Sequence, residues 1–289
     1  MAQMNFFVGD IVGNTKKIIE AAKNARFHLG ADAIVFPELA ITGYPPEDLL
    51  LRQGFIRQID TAIQQIVSQV ASIDIVFGAP RHDGDDLYNS AFWARDGQIL
   101  DVYDKYTLPN YAVFDEKRYF AAGQRPVVVE LKGIKLGLSI CEDIWFERAA
   151  ADTAQTGAQG LLILNASPFH QHKHDQRVEV LKQRQAETGI AMFYLNLVGG
   201  QDELVFDGQS LVLDSRGELV GRGPVFEATQ LQYRFSKQGD IESIDTIFHQ
   251  LDSDEAVIYK GLVMAVKDYV SNNGFDGVVI GLSGGVDSA

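Results

Sequence analysis

Cysteine is almost missing from this chain: Cys141 is the only one in 289 residues. No intramolecular disulfide can form, which fits a reducing cytoplasm. Long apolar runs are missing too. No stretch of 18 or more apolar residues occurs, so no membrane-spanning helix is expected. Met1 to Asp10 lacks a basic start, an apolar centre and a cleavage site, so no signal peptide is expected. Basic residues are scarce, with 25 Lys and Arg against 39 Asp and Glu, a net charge of −14. So acidic a chain is poorly suited to nucleic acid or to an anionic membrane. There is no internal repeat and no low-complexity segment.

What the chain does hold is short apolar runs rich in β-branched residues. Strands are expected at Asn5–Val8, Ala33–Phe36, Asp74–Phe77, Leu87–Ala94, Val127–Val129, Lys135–Ile140, Leu161–Leu164, Met192–Leu195 and Ser210–Leu213. Helical periodicity marks Asn14–Leu29, Asp60–Val70 and Asp175–Thr188, the last stopped by Gly189. Strands alternating with helices indicate an α/β class. Turn signals at His82–Asp85, Asp96-Gly97 and Ser215–Gly217 predict hairpins, and so a mixed sheet. Beyond Arg222 the chain turns polar over Phe226–Ser243. An amphipathic helix follows over Asp254–Ser271, with Val257, Ile258, Leu262, Ala265, Val266 and Tyr269 on one face, then a buried strand over Phe275–Leu282. This pattern divides the chain into residues 1–250 and the opening of a second domain at 251–289.

Cys141 follows directly on the strand Lys135–Ile140, where a turning chain exposes a nucleophile. A lone cysteine is more often a small buried hydrophobe. Glu142 and Asp143 weaken that reading slightly, but negative neighbours raise a thiol's pKa. A reactive Cys141 therefore needs a cation or a base close by. Two segments can supply them: Glu38, at the end of the strand Ala33–Phe36, and Lys105, in the run Tyr103 to Tyr111. Taken singly, each is an ordinary solvated side chain. His28, His82, His170, His172, His174 and His249 lie in no recognisable cysteine-histidine context, and His170, His172 and His174 read as a solvated loop rather than a metal site.

Together and in order, Phe36-Pro37-Glu38, Tyr103-x-Lys105-x-x-Leu108-Pro109 and Cys141-Glu142-Asp143 resemble the nitrilase superfamily of amidases across roughly residues 1–250. The resemblance implies a catalytic triad of Glu38, Lys105 and Cys141, with Glu116 as a second glutamate. It implies an α-β-β-α sandwich with mixed sheets and a homo-oligomer. The chemistry suits these residue types. Glu38 takes the thiol proton and passes it to leaving ammonia, Lys105 stabilises the oxyanion, and water then hydrolyses the thioester with no metal required.

The Gly-rich end is a separate signal. Gly281, Leu282, Ser283, Gly284, Gly285, Val286, Asp287 and Ser288 follow an apolar run and lack the Gly-Lys-Ser/Thr of a Walker A loop. They resemble the Ser-Gly-Gly-x-Asp-Ser signature of ATP pyrophosphatases, which implies backbone N–H groups against ATP phosphates and Asp287 as a Mg²⁺ ligand. An amidase joined to such a loop resembles the glutamine-dependent NAD⁺ synthetases. That family implies glutamine contacts at Tyr111, Ser167 and Lys173, and ammonia passing to a domain that amidates nicotinic acid adenine dinucleotide. That domain is expected to lie beyond Ala289, leaving this chain at most glutaminase activity, and the last ~35 residues are expected to be weakly held or packed on a neighbour. Two alternatives stay open: a stand-alone amidase acting on another small amide, and a non-catalytic module on the same fold.

Overall fold

The computed structural model describes residues 1–244 and 252–288. The expected boundary between residues 250 and 251 therefore lies outside the described residues. In chain order the first half holds β1 (Ala2–Gln3), α1 (Ile11–Phe27), β2 (Ala33–Val35), α2 (Gln53–Gln69), β3 (Asp74–Asp83), β4 (Asp86–Arg95) and β5 (Gln98–Asp104). The second half holds β6 (Val128–Leu131), β7 (Ile134–Ile140), α3 (Glu147–Gln155), β8 (Gly160–Asn165), α4 (Lys173–Thr188), β9 (Ala191–Asn196), β10 (Val198–Gln201), β11 (Leu204–Asp207), β12 (Leu211–Leu213) and β13 (Leu219–Arg222). β14 (Thr229–Gln230), β15 (Tyr233–Phe235), β16 (Ile241–Ser243) and α5 (Asp254–Asn272) follow.

Two sheets dominate. One runs β2-β3-β4-β5 and the other β13-β12-β9-β8-β7-β6. Both are mixed, as the hairpin signals predict. β2 pairs β3 in parallel, while β3-β4 and β4-β5 are antiparallel. In the larger sheet β7-β8-β9 is parallel and the flanking pairs are antiparallel.

Residue alternation explains why these sheets stack. Side chains one apart on a strand point to opposite faces. On β3, Ile75 and Phe77 join the core under α1 and α2, with Ile18, Ile59 and Ile66. Val76, between them, faces the other way and meets Leu138, Leu162, Leu164 and Leu195 of the larger sheet. On β8, Leu161 and Ile163 pack outward with Leu181 of α4 and Ala150 of α3. Three apolar seams between four layers give α-β-β-α, the expected sandwich. Full burial of each such Leu or Ile contributes about 1.5–3 kcal/mol.

Asn5–Val8 is not a strand; only Ala2 and Gln3 pair, with β14. Side chains have taken its backbone groups. Asn14 accepts from the Phe7 N–H at 3.1 Å and donates to the Phe7 carbonyl at 2.8 Å, and Gln201 accepts from Val8 at 3.2 Å. A side-chain cap likewise lets α1 begin at Ile11, three residues before the periodicity predicts: the Asp10 carboxylate accepts from Gly13 N–H at 2.9 Å.

The end of the chain departs most from expectation. Phe275–Leu282 forms no strand and is not buried; Val279 is 99% exposed. No other described strand lies beside it, and an apolar run without a partner has no ladder to join. α5 exists, but Ile258, Leu262, Val266 and Tyr269, expected on a buried face, are exposed. The helix lies on β10 and β11 through Gly261, which sits against the Phe226 ring, and through Asp268, which accepts from Gly200 N–H at 2.7 Å and Asn5 Nδ2 at 2.9 Å.

Candidate active site

Four strand ends converge where the sheets meet. Glu38 follows β2, Lys105 follows β5, Cys141 follows β7, and Ala166 follows β8. Lys105 Nζ lies 2.7 Å from Glu38 Oε1 and 2.8 Å and 2.9 Å from the two oxygens of Glu116. Glu38 also accepts from Asn89 Nδ2 at 2.8 Å and from Ala166 N–H at 3.0 Å. Tyr44 donates to Glu116 at 2.8 Å. Three charged side chains drawn from separate segments are thus buried together; Lys105 is 1% exposed.

Cys141 has φ +43°, in the left-handed region that costs a residue with a Cβ about 1–3 kcal/mol. The strand stops there and a 3-10 turn, Cys141–Trp145, begins. Cys141 is buried, 8% exposed. Asp143 tightens this turn from within: its carboxylate accepts from Ile140 N–H at 3.2 Å, Thr107 N–H at 2.7 Å and Tyr103 OH at 2.8 Å.

Burial pushes the Cys141 thiol well above its usual range, and Glu38 adds to the rise while Lys105 opposes it. The thiol at rest is therefore protonated and needs a base. For Lys105 burial acts downward, but Glu116 and Glu38 outweigh it, and the ammonium is held well above its ordinary value. Burial raises Glu116 to about 7, against the pull of Lys105.

Two of the expected substrate contacts, Tyr111 and Lys173, fall at the rim. Tyr111 donates to Glu142 at 3.0 Å, and the Lys173 ammonium lies 4.1 Å from the centre of the Trp145 ring. Burial lowers the Lys173 pKa. Ser167 is buried: its N–H donates to Asn196 at 2.9 Å, and Arg177 donates to its carbonyl at 2.9 Å and its hydroxyl at 3.2 Å. Arg177 is itself paired with Asp207 at 2.8 Å. A cavity of about 170 Å³ lined by Leu39, Tyr44, Phe114 and Glu116 adjoins the Lys105 cluster, room for several waters.

Sequence reasoning missed Asn89, Tyr44 and the Arg177–Asp207 pair, and it read Asp143 only as an acidic neighbour. An Asn inside a strand and an Arg inside a polar helix carry no local signal. The three histidines split: His170 and His172 are in the exposed loop, while His174 is half-buried in α4. Among the described residues no three His, Cys, Asp or Glu side chains converge as metal ligands.

Gly281 to Asp287 are exposed and far from forming a cradle. Asp287 is the one carboxylate between Gly277 and Ser288. These residues do not by themselves fit a Mg²⁺ ion.

The carbon-nitrogen hydrolase family pattern matches residues 1–242, and the NAD synthase pattern matches residues 258–289. A glutamine-dependent NAD(+) synthetase of Xylella fastidiosa strain Temecula1 is 44% identical over all of this chain and 54% of its own length. The structure of glutamine-dependent NAD⁺ synthetase from Acinetobacter baumannii in complex with ADP aligns at a TM-score of 0.94 and 41% identity, over all of this chain and 54% of that one. An amidase from Nesterenkonia sp. aligns at 0.71 and 29% identity, over 79% of this chain and 86% of its own. The chain thus spans about half the length of the synthetases it matches. With four layers, a buried Glu-Lys-Glu cluster beside a strand-end cysteine, and a family pattern running through residues 1–242, the chain belongs to the carbon-nitrogen hydrolase family.

Proposed function

We propose that this chain hydrolyses the side-chain amide of glutamine, with Cys141 as nucleophile. The observation that carries the reading is Lys105 Nζ held between Glu38 and Glu116 at 2.7 and 2.8 Å in a buried site beside Cys141. Glu38 takes the thiol proton as Sγ attacks the amide carbon. The oxyanion is met by Lys105 and by a backbone N–H beside Cys141. Glu38 then gives its proton to the nitrogen, the C–N bond breaks, and ammonia leaves a thioester. Water, deprotonated by Glu38, adds to that carbon; the C–S bond breaks and the proton returns to Sγ, freeing glutamate. Glu116 and Tyr44 fix Lys105. Tyr111, Ser167 and Lys173 hold the amino-acid end of glutamine.

Residues 1–250 are the glutaminase, and residues 251–289 open an ATP-pyrophosphatase domain. In the whole enzyme, ammonia from Cys141 amidates adenylated nicotinic acid adenine dinucleotide to NAD⁺, with ATP and Mg²⁺ as that half's requirements and Gly281–Ser288 as part of its ATP loop. The relatives' names and the NAD synthase match support this reading. A cytoplasmic homo-oligomer fits it; no described helix is long and apolar enough to cross a membrane.

The test is ammonia release from glutamine by the wild-type chain and by Cys141→Ala, with labelling of Cys141 by an electrophilic glutamine analogue. Turnover and labelling that both vanish in Cys141→Ala are expected. Ammonia from another small amide but none from glutamine would replace this reading with a stand-alone amidase.

A further inference from the structure

We propose that Asp143 is a positioning residue that sets the separation of Cys141 and Lys105, acting as a clamp between the two sheets. The donors it gathers have a telling arrangement. Tyr103 OH and Thr107 N–H come from two residues before and two residues after Lys105. Ile140 N–H comes from the residue before Cys141. One carboxylate thus grips both sides of the lysine and the approach to the nucleophile. Tyr103 belongs to β5 of the smaller sheet, and Ile140 to β7 of the larger one.

The carboxylate is fully buried, and no salt bridge joins it to any cation among the described residues. A buried carboxylate without a paired cation is costly unless hydrogen bonds compensate it. Both oxygens here are taken, Oδ1 by Thr107 and Oδ2 by Tyr103 and Ile140. An apolar residue of the same size would fill the space more cheaply. What an apolar residue lacks is the power to fix a hydroxyl from one sheet, a backbone N–H from the other and a backbone N–H from the Lys105 loop at hydrogen-bond distance. Asp143 also stabilises a turn whose first residue, Cys141, has a left-handed φ. The turn has no side-chain cap other than this one: Asp143 reaches back to the Ile140 N–H from inside it.

Asp143 is not expected to touch substrate, because all its acceptor positions face the protein. Its effect is transmitted through Cys141 and Lys105. Misplacing reacting groups by about 1 Å can cost about a hundredfold in rate.

The clamp rests on the triad reading above, so its test carries an arm that needs no substrate. In Asp143→Asn the amide keeps one acceptor and turns an N–H₂ toward donors. Alkylation of Cys141 by iodoacetamide is expected to slow about tenfold or more in this variant. Glutaminase kcat per titratable Cys141 is expected to fall by at least the same factor, with KM within about twofold. A merely structural role would lower the fraction of titratable chain and leave both rates per titratable site unchanged. That outcome overturns the clamp. If wild type releases no ammonia from glutamine, the glutaminase reading fails, while the alkylation rates still decide the clamp. Tyr103→Phe keeps the carboxylate and removes one donor. It serves if Asp143→Asn does not fold: a threefold or greater slowing of alkylation supports the clamp, and an unchanged rate overturns it.

Discussion

At the scale of single residues, the site is a problem of buried charge. Lys105 neutralises two carboxylates, so removing it leaves Glu38 and Glu116 buried together without a cation. Lys105→Met is expected to abolish turnover and to destabilise the fold by about 3–5 kcal/mol, read from urea denaturation. Glu38→Gln keeps Lys105 paired with Glu116 and loses only the base. It is expected to fold normally and to lose about a hundredfold or more in kcat. Glu116 makes a pH prediction. Its carboxyl sits at about 7 in the folded chain against an ordinary value of 4.5, because burial favours the neutral acid. As pH falls through that window the folded chain binds the proton first, so this residue favours folding more at pH 5 than at pH 8. Glu116→Gln should therefore gain stability relative to wild type as pH rises from 5 to 8. A difference in unfolding free energy, variant minus wild type, that stays constant or falls from pH 5 to pH 8 would count against the assignment.

Among the elements, α5 supplies a sharp expectation. One carboxylate, Asp268, holds it to Gly200 and Asn5, while Leu262, Val266 and Tyr269 on its other side meet solvent. Asp268→Ala should free the helix: faster amide hydrogen exchange across Asp254–Asn272, with the melting temperature of the sandwich unchanged. Legibility in the sequence follows the same division. β8 and β9 were readable because four or five apolar residues in a row, buried on both faces, leave few other structures. Cys141 stood out only together with Glu38 and Lys105, since its two acidic neighbours argued as much against a reactive thiol as for one. Which side of α5 turns inward was not, since the face is chosen by Phe226 and Gly200, far away in the chain, and periodicity sees only the helix itself. Phe275–Leu282 shows the matching error, for an apolar run states a need for a partner without providing one. Ser167 was placed correctly at a strand end, yet the Arg177 and Asn196 that hold it come from a helix and a neighbouring strand. Contacts of that range have no local signature.

For the molecule as a whole, the seam between the sheets is where stability and chemistry coincide. Leu138 is fully buried there among Val76, Leu162 and Leu195. Leu138→Ala should cost about 2–5 kcal/mol in urea denaturation, the range for an aliphatic cavity that cannot collapse. Glu38 and Lys105 belong to one face of that seam, and Cys141 and Ala166 to the other. On the proposed mechanism, a chain with both sheets formed but undocked would hold all three triad residues and no working site. On that mechanism, the thiol gains its base and its cation only when the two halves meet. Returning activity after dilution from denaturant should accordingly lag behind the recovery of secondary structure, and the lag would time the closing of the sandwich.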